Sequence, residues 1–273
     1  MMQRYNAHRL LFLWLVLVLL SLSGLVWSQD QKKNAGDNPV LGRIQKKTYD
    51  FKEAGKEMEY ALFVPTTYKK GKKTPLMVAL HGLGSNPQQI LRYPSFTGLA
   101  EKNGYILVAP MGYTSRGWYG VKGPRSPKTD PENLGELSEK DVMNVLALVR
   151  EDFTIDEKRI YLMGHSMGGG GTWHLGLKYP ELWAGLAPIA PAIFRKATVL
   201  EKIKHIPVIL IQGDKDKLVP VAGPRRWAEE MKKLNMTYEY IEVPGGGHVD
   251  VAFQNLPKIF EFFDKQRTKS KEK

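Results

Sequence analysis

The chain has 273 residues, of which 42% are hydrophobic and 25% are charged, an ordinary balance for a globular protein with one buried core. It contains no cysteine, which excludes disulfides, thiolate metal ligands, lipidated cysteines and a cysteine nucleophile. The net charge of +12 is spread along the chain and forms no recognisable nucleic-acid-binding motif, so we expect no specific nucleic-acid partner.

The N-terminal segment has the features of an export signal. Arg4 and Arg9 precede an apolar block over residues 10–27, and Val26 and Ser28 occupy the small-residue positions that precede a cleavage point. The apolar block also approaches the length of a membrane helix. Two outcomes therefore stay open, a signal peptide cleaved after Ser28 or an uncleaved anchor that holds the protein at a membrane. Both predict an exported protein, either periplasmic or extracellular.

A flexible tether over residues 29–43 is expected to lead into a single domain over residues 44–265, with a basic tail over residues 266–273. The domain opens with two strands that predict an antiparallel hairpin, and short apolar runs that are typical of buried parallel strands follow. The predicted strands are Ile44 to Phe51, Glu57 to Val64, Pro75 to Leu80, Tyr105 to Ala109, Arg159 to Met163, Ala184 to Ile189, Pro207 to Ile211 and Thr237 to Val243.

Helical patterns alternate with the later strands. This alternation predicts an α/β fold with a mostly parallel central sheet and helices on both faces. Only residues 191–206 separate two of the later strands, which leaves no room for a cap domain. The predicted helices are Pro87 to Asn103, Ser138 to Asp152, Met167 to Lys178, Val221 to Leu234 and Val251 to Lys265.

The most informative motif is Gly164-His165-Ser166-Met167-Gly168, which lies between an apolar strand and a glycine-rich helix start. A serine on such a sharp strand-to-helix turn adopts unusual backbone angles, and small neighbours let the strand and the helix pass closely. Each glycine costs about 1 kcal/mol relative to alanine inside a helix, so a glycine run here indicates a functional constraint. We interpret Ser166 as a nucleophile at the carboxyl end of its strand.

A serine hydroxyl needs a neighbouring base and a carboxylate that orients the base. Of the histidines that follow Ser166, only His248 comes after the carboxyl end of a strand, in a glycine-rich loop. Asp214 and Asp216 both follow the preceding strand. Asp214 begins a turn, where aspartate commonly binds its own backbone, so Asp216 is the favoured acid.

Two backbone N–H groups are expected to bind the oxyanion of a tetrahedral intermediate. One belongs to Met167, at the start of the helix that follows the nucleophile, where the helix dipole favours negative charge. The other belongs to Leu83, in the loop directly after the strand that ends at Leu80. His81, in the same loop, is interpreted as a scaffold residue.

These motifs resemble the α/β-hydrolases, and within them the secreted serine esterases that are similar to polyhydroxyalkanoate depolymerases and to feruloyl or acetylxylan esterases. The resemblance covers residues 57–263 and includes residues 81–84 as the first oxyanion loop and residues 164–169 as the elbow. In residues 213–220 the family pattern G-x-x-D-x-x-V-P selects Asp216 over Asp214. One departure is that no triple-glycine loop follows His81.

The resemblance implies hydrolysis of carboxylic esters through an acyl-enzyme, with small, saccharide-linked or polymer-linked esters as substrates and no metal or organic cofactor. Two alternatives stay open, a serine peptidase related to prolyl oligopeptidase and an exported binding domain without chemistry. The long loop over residues 111–137 holds Tyr113, Trp118 and Tyr119. Their rings either stack on a substrate or anchor the loop to the body, and the sequence favours neither interpretation.

Overall fold

The computed structural model describes residues 40–120, 123 and 127–269. The predicted signal segment over residues 1–28, nearly all of the tether, and the last residues of the basic tail lie outside the described residues. Among the residues that are described, no helix is long and apolar enough to cross a membrane.

The central sheet has eight strands in the order β1-β2-β4-β3-β5-β6-β7-β8. β1 pairs antiparallel with β2, β2 pairs antiparallel with β4, and all the other pairs are parallel. The predicted opening hairpin and the mostly parallel sheet are therefore confirmed. The strands are β1 (Ile44–Phe51), β2 (Lys56–Phe63), β3 (Thr74–Leu80), β4 (Ile106–Pro110), β5 (Ile155–His165), β6 (Gly185–Ile189), β7 (Val208–Gly213) and β8 (Tyr238–Val243).

Helices cover both faces of the sheet. The α-helices are α1 (Pro87–Leu91), α2 (Phe96–Asn103), α3 (Leu134–Asp152), α4 (Met167–Lys178), α5 (Ala222–Lys233), α6 (Asp250–Gln254) and α7 (Leu256–Lys269). Alternate residues of each strand point to opposite faces, so Leu76 and Val78 of β3 belong to one apolar cluster with residues of α3, α4 and α5, whereas Met77 and Ala79 belong to another with residues of α1, α2 and α7. The two apolar clusters hold the sheet between layers of helices.

Two predicted helices are each divided in the structure. The helix predicted over Pro87 to Asn103 is wrong as one element, since α1 ends at Leu91 and α2 begins at Phe96. Pro94 disfavours a helical residue before it, and Ser95 has a left-handed backbone with φ 68°. The helix predicted over Val251 to Lys265 is likewise divided at Asn255.

The connections at the carboxyl ends of the strands are short, except for the long loop between β4 and α3. Between β6 and β7 the described chain forms only a 3-10 helix, Ala197–Ile203. This connection confirms that no cap domain is inserted there. The carboxyl ends of β3, β5, β7 and β8 thus meet at one open edge of the sheet.

Candidate active site

Ser166 occupies the turn between β5 and α4. Its backbone angles are φ 58° and ψ −113°, a conformation that costs a non-glycine residue about 1 to 3 kcal/mol. Hydrogen bonds on both sides hold this strained residue in place. Its N–H donates to the Ile189 carbonyl at 2.9 Å, and its carbonyl accepts from the N–H groups of Gly170 and Ala192 at 3.0 Å each.

The glycines of the elbow are required by a close crossing of backbones. A Cβ atom on Gly164 would lie 2.2 Å from the Gly168 carbonyl oxygen. A Cβ atom on Gly168 would lie 2.1 Å from the Leu80 carbonyl oxygen, at the end of β3. No side chain fits at either position unless α4 moves away from the sheet, which gives the glycine spacing of the motif its physical reason.

Asp216 and His248 come together from the loops that follow β7 and β8. The Nδ1 atom of His248 donates to Oδ2 of Asp216 at 2.7 Å. Oδ1 of the same carboxylate accepts from the N–H groups of Leu218 and Val219, both at 2.8 Å. A neutral histidine that donates through Nδ1 presents an unprotonated Nε2, which is the atom that a general base uses.

The surroundings of Asp216 favour its ionised form. Burial acts to raise the pKa of this carboxyl, but hydrogen bonds from the Val219 N–H, the His248 ring and the Leu218 N–H outweigh burial and hold the pKa below its usual value. The carboxylate side chain is fully buried, and that of His248 is 11% exposed. The pair is therefore a buried charge with an oriented ring beside it.

His248 is also joined to the elbow. Its backbone carbonyl accepts a hydrogen bond from Nε2 of His165 at 2.8 Å, and the two imidazole rings lie 5.0 Å apart between centroids. No hydrogen bond among the described residues joins the Ser166 hydroxyl to His248. The structure thus brings Asp216 and His248 into direct contact, and His248 into contact with the residue before Ser166.

The loop after β3 lies against Ser166. A Cβ atom on Gly82 would lie 3.6 Å from the Ser166 Cβ, which places the neighbouring Leu83 beside the elbow. Among the described residues, no hydrogen bond uses the backbone N–H of Leu83 or that of Met167, the first residue of α4. Neither predicted oxyanion donor is therefore engaged by another described residue.

His81 is buried in the same loop. Its Nδ1 lies 2.8 Å from the Gly82 carbonyl and its Nε2 lies 2.9 Å from the Met111 carbonyl. Burial lowers the pKa of the ring, so a neutral His81 donates to one of these carbonyls. Its placement agrees with a scaffold role for the loop.

The predicted substrate-contacting aromatics separate into two groups. Tyr119 is fully buried, and its hydroxyl donates to the His81 carbonyl at 3.3 Å. Tyr113 packs its ring against Phe51, with 6.1 Å between centroids. These two rings anchor the loop to the body, whereas Trp118 lies at the edge of a pocket.

That pocket is open to solvent, and its lining is mostly apolar. Gly170 and Ala192, whose N–H groups bind the Ser166 carbonyl, both line it, so the pocket lies against the first turn of α4; Ser166, Asp216 and His248 are not among its lining residues. The indole N–H of Trp173 is buried and finds no acceptor among the described residues. The aromatic and charged lining residues are Trp118, Trp173, His174, Phe194, Arg195 and Trp227.

Asp141 binds the loop between β4 and α3, a role that no motif in the sequence indicates. Asp141 of α3 accepts hydrogen bonds from the Gly112 N–H at 2.6 Å, the Tyr113 N–H at 3.3 Å and the Tyr49 hydroxyl at 2.6 Å. A carboxylate on a helix ordinarily faces solvent. The one sequence signal for this contact is that a polar residue lies on the apolar face of α3.

Within the described ranges, no cluster of three or more His, Asp or Glu side chains is arranged to hold a metal ion.

Comparison with known proteins places the chain among esterases. It is 24% identical over 187 residues to a bifunctional acetylxylan esterase/xylanase of Neocallimastix patriciarum, and 29% identical over 187 residues to feruloyl esterase B of Neurospora crassa. The first match covers 67% of this chain and 25% of the relative, and the second covers 66% and 56%. The chain therefore spans only part of the length of these relatives.

Solved structures share the fold. A thermostable esterase superposes with a TM-score of 0.60 at 26% identity, covering 80% of this chain and 60% of that one. A ferulic acid esterase of Anaeromyces mucronatus superposes with a TM-score of 0.66 at 21% identity, covering 86% and 94%. The family model described as "Putative esterase" matches residues 52–261. The chain belongs to this esterase family and has the α/β-hydrolase fold.

Proposed function

We propose that this protein is a serine hydrolase that cleaves carboxylic esters through an acyl-enzyme. The observation that carries the proposal is the 2.7 Å hydrogen bond between His248 Nδ1 and Asp216, on loops that converge on the strained Ser166 elbow. The hydrogen bond orients the ring and leaves Nε2 as the base. Family membership supports ester hydrolysis as the reaction class.

The reaction follows from these positions. Ser166 Oγ attacks the ester carbonyl carbon while its proton passes to Nε2 of His248. The N–H groups of Leu83 and Met167 stabilise the negative oxygen of the tetrahedral intermediate. The carbon–oxygen bond to the alcohol then breaks, and the alcohol takes the proton from His248. Water repeats the sequence on the acyl-enzyme, releasing the acid and restoring Ser166.

The pocket against the first turn of α4 supports esters that carry a flat or apolar group, and an open edge without a cap suits saccharide-linked or polymer-linked esters. Phe194 is 63% exposed and offers a ring face for stacking, next to Trp118, whose ring lies 5.4 Å from that of Phe194 between centroids. Relatives named for acetylxylan and feruloyl esters are consistent with this class. Within the loop, Trp118 is the aromatic residue that we assign to substrate.

Turnover of p-nitrophenyl acetate by wild type and Ser166→Ala tests the proposal. We expect kcat to fall by about 10⁴-fold or more in the variant, and a fluorophosphonate to label wild type only. Equal turnover by the two proteins would refute the assignment of Ser166. Labelling distinguishes an enzyme from a binding domain, and turnover of a matched p-nitroanilide comparable with that of the ester would indicate a peptidase.

The sequence of residues 1–28 supports export, with residues 44–265 as the catalytic domain. Mass spectrometry of the N-terminal peptide of the exported protein is expected to identify Gln29, as glutamine or pyroglutamate, as its first residue. A mature protein that retains residues 1–28 and fractionates with membranes would instead establish the uncleaved anchor.

A further inference from the structure

We propose that His165 is a positioning residue for the base, holding the backbone of His248 in register with the nucleophile next to it in the chain. The inference rests on the proposed function, since it assigns to His165 a role that acts through the backbone of His248. It adds to the Asp216 contact, which orients the ring of His248 but does not fix its backbone.

Both ring nitrogens of His165 are used. The Tyr93 hydroxyl donates to Nδ1 at 2.8 Å, and Nε2 donates to the His248 carbonyl at 2.8 Å. These two bonds require one neutral tautomer, with its hydrogen on Nε2. The Tyr93 ring is itself packed edge-on against Phe253 of α6, with 4.8 Å between centroids.

The environment keeps this ring neutral. His165 is 5% exposed, and burial lowers its pKa to about 4, although its bond to the His248 carbonyl acts in the opposite direction. The titratable groups that face it are His248, which acts to lower the pKa of His165 further, and Asp216, which acts to raise it. A neutral ring accepts from Tyr93 and donates to His248 throughout the neutral pH range.

The loop that carries His248 needs such a tether. Gly245, Gly246 and Gly247 precede the base and give the loop backbone freedom, and Gly245 has φ 71°. The Gly245 N–H donates to the Asp214 carboxylate at 2.7 Å and the Lys215 N–H donates to the Gly246 carbonyl at 3.0 Å, and these bonds fix the start of the loop. Among the described residues, His165 is the side chain that binds the backbone carbonyl of His248 itself.

His165 also fixes the His248 loop relative to the nucleophile. It is the last residue of β5, directly before Ser166, and a Cβ atom added to Gly82, in the proposed oxyanion loop, would lie 3.6 Å from the His165 carbonyl oxygen. A displacement of the base relative to the nucleophile by about 1 Å costs up to roughly 100-fold in rate. The Tyr93–His165–His248 chain of hydrogen bonds opposes that displacement.

Two amide substitutions test the two ring nitrogens of His165 separately. In His165→Gln the side-chain amide nitrogen reaches the place of Nε2 and retains a donor for the His248 carbonyl, whereas in His165→Asn the amide ends near the place of Nδ1. We expect His165→Asn to lower kcat for p-nitrophenyl acetate by roughly 10- to 100-fold with KM within about twofold, and His165→Gln to recover most of kcat. Tyr93→Phe keeps the ring packing and is expected to lower kcat by a smaller factor than His165→Asn.

The pH profile of kcat/KM and the melting temperature complete the test. A misplaced base is expected to shift the acidic limb of the profile in His165→Asn and to leave it unchanged in His165→Gln. Equal kcat losses in Asn and Gln variants, or losses that follow only the fall in melting temperature, would overturn the positioning role. Turnover that survives Ser166→Ala would instead overturn the proposed function, so the two failures are distinguishable.

Discussion

Replacement of Gly168 by alanine tests the close crossing at the elbow. The added Cβ would lie 2.1 Å from the Leu80 carbonyl oxygen and 2.8 Å from the His81 carbonyl oxygen, both of which are backbone atoms that no side-chain rotation can move. An ordinary carbon–oxygen contact is about 3.3 Å, so α4 must shift by about 1 Å. Such overpacking costs about 3 kcal/mol, and the helix preference for alanine returns about 1 kcal/mol.

The expected net loss is about 2 kcal/mol, or about 4 to 8 °C in melting temperature for a domain of this size. Gly98→Ala is the matched control, because Gly98 lies inside α2 and a Cβ there meets nothing within 4 Å. We expect that control to gain about 0.5 to 1 kcal/mol. Thermal and urea unfolding measure both variants. A Gly168→Ala protein that melts at or above wild type would refute the inferred crossing.

Three further predictions concern the site. Asp216→Asn is expected to lower kcat by about 10³- to 10⁴-fold, since an amide that donates to His248 favours the wrong tautomer; Asp214→Asn, which keeps an acceptor for the Gly245 N–H, serves as its control in the same assay. Burial raises the pKa of Asp141 to about 6 from an ordinary 3.8. The folded state therefore binds the carboxyl proton more tightly than the unfolded state does, and the free energy of unfolding rises as the pH falls through 6. Asp141→Asn removes that dependence, and urea unfolding is expected to show wild type gaining stability relative to the variant between pH 7 and pH 5. Trp118→Ala is expected to raise KM for methyl ferulate and to leave KM for p-nitrophenyl acetate unchanged; equal increases for both esters would contradict the pocket assignment.

The inner strands of the sheet could be predicted because they are buried on both faces and therefore form continuous apolar runs, whereas β1 and β8 at its edges are partly exposed. β3 and β7 are fully buried and begin within one residue of their predicted starts. β5 was predicted too short, since its first part contains the charged residues Asp156, Glu157 and Lys158. These lie where the strand leaves the core, so no apolar periodicity indicates them.

The assignment of Ser166, Asp216 and His248 stays a prediction. Chain order and strand ends were enough to predict Ser166 and His248, whereas turn chemistry and the family pattern were needed to choose Asp216 over Asp214. No sequence pattern indicates which residues form hydrogen bonds with each other when they are far apart in the chain. The Tyr49 hydroxyl meets Asp141 across 92 positions, and the Tyr93 hydroxyl meets His165 across 72. Tyrosines on a strand and in a loop give no local sign of such partners.

The loop between β4 and α3 shows why aromatic composition alone did not separate binding from anchoring. Its path is set by acceptors on α3: the Ser138 hydroxyl accepts from the Tyr119 N–H at 2.9 Å, and Asp141 accepts from the N–H groups of Gly112 and Tyr113. Without them, donors buried beneath the loop would go unpaired, at about 1 to 3 kcal/mol each. Because buried polar groups fix the loop at Gly112 and Tyr119, the intervening turn directs Trp118 to the pocket while its tyrosine neighbours face the body.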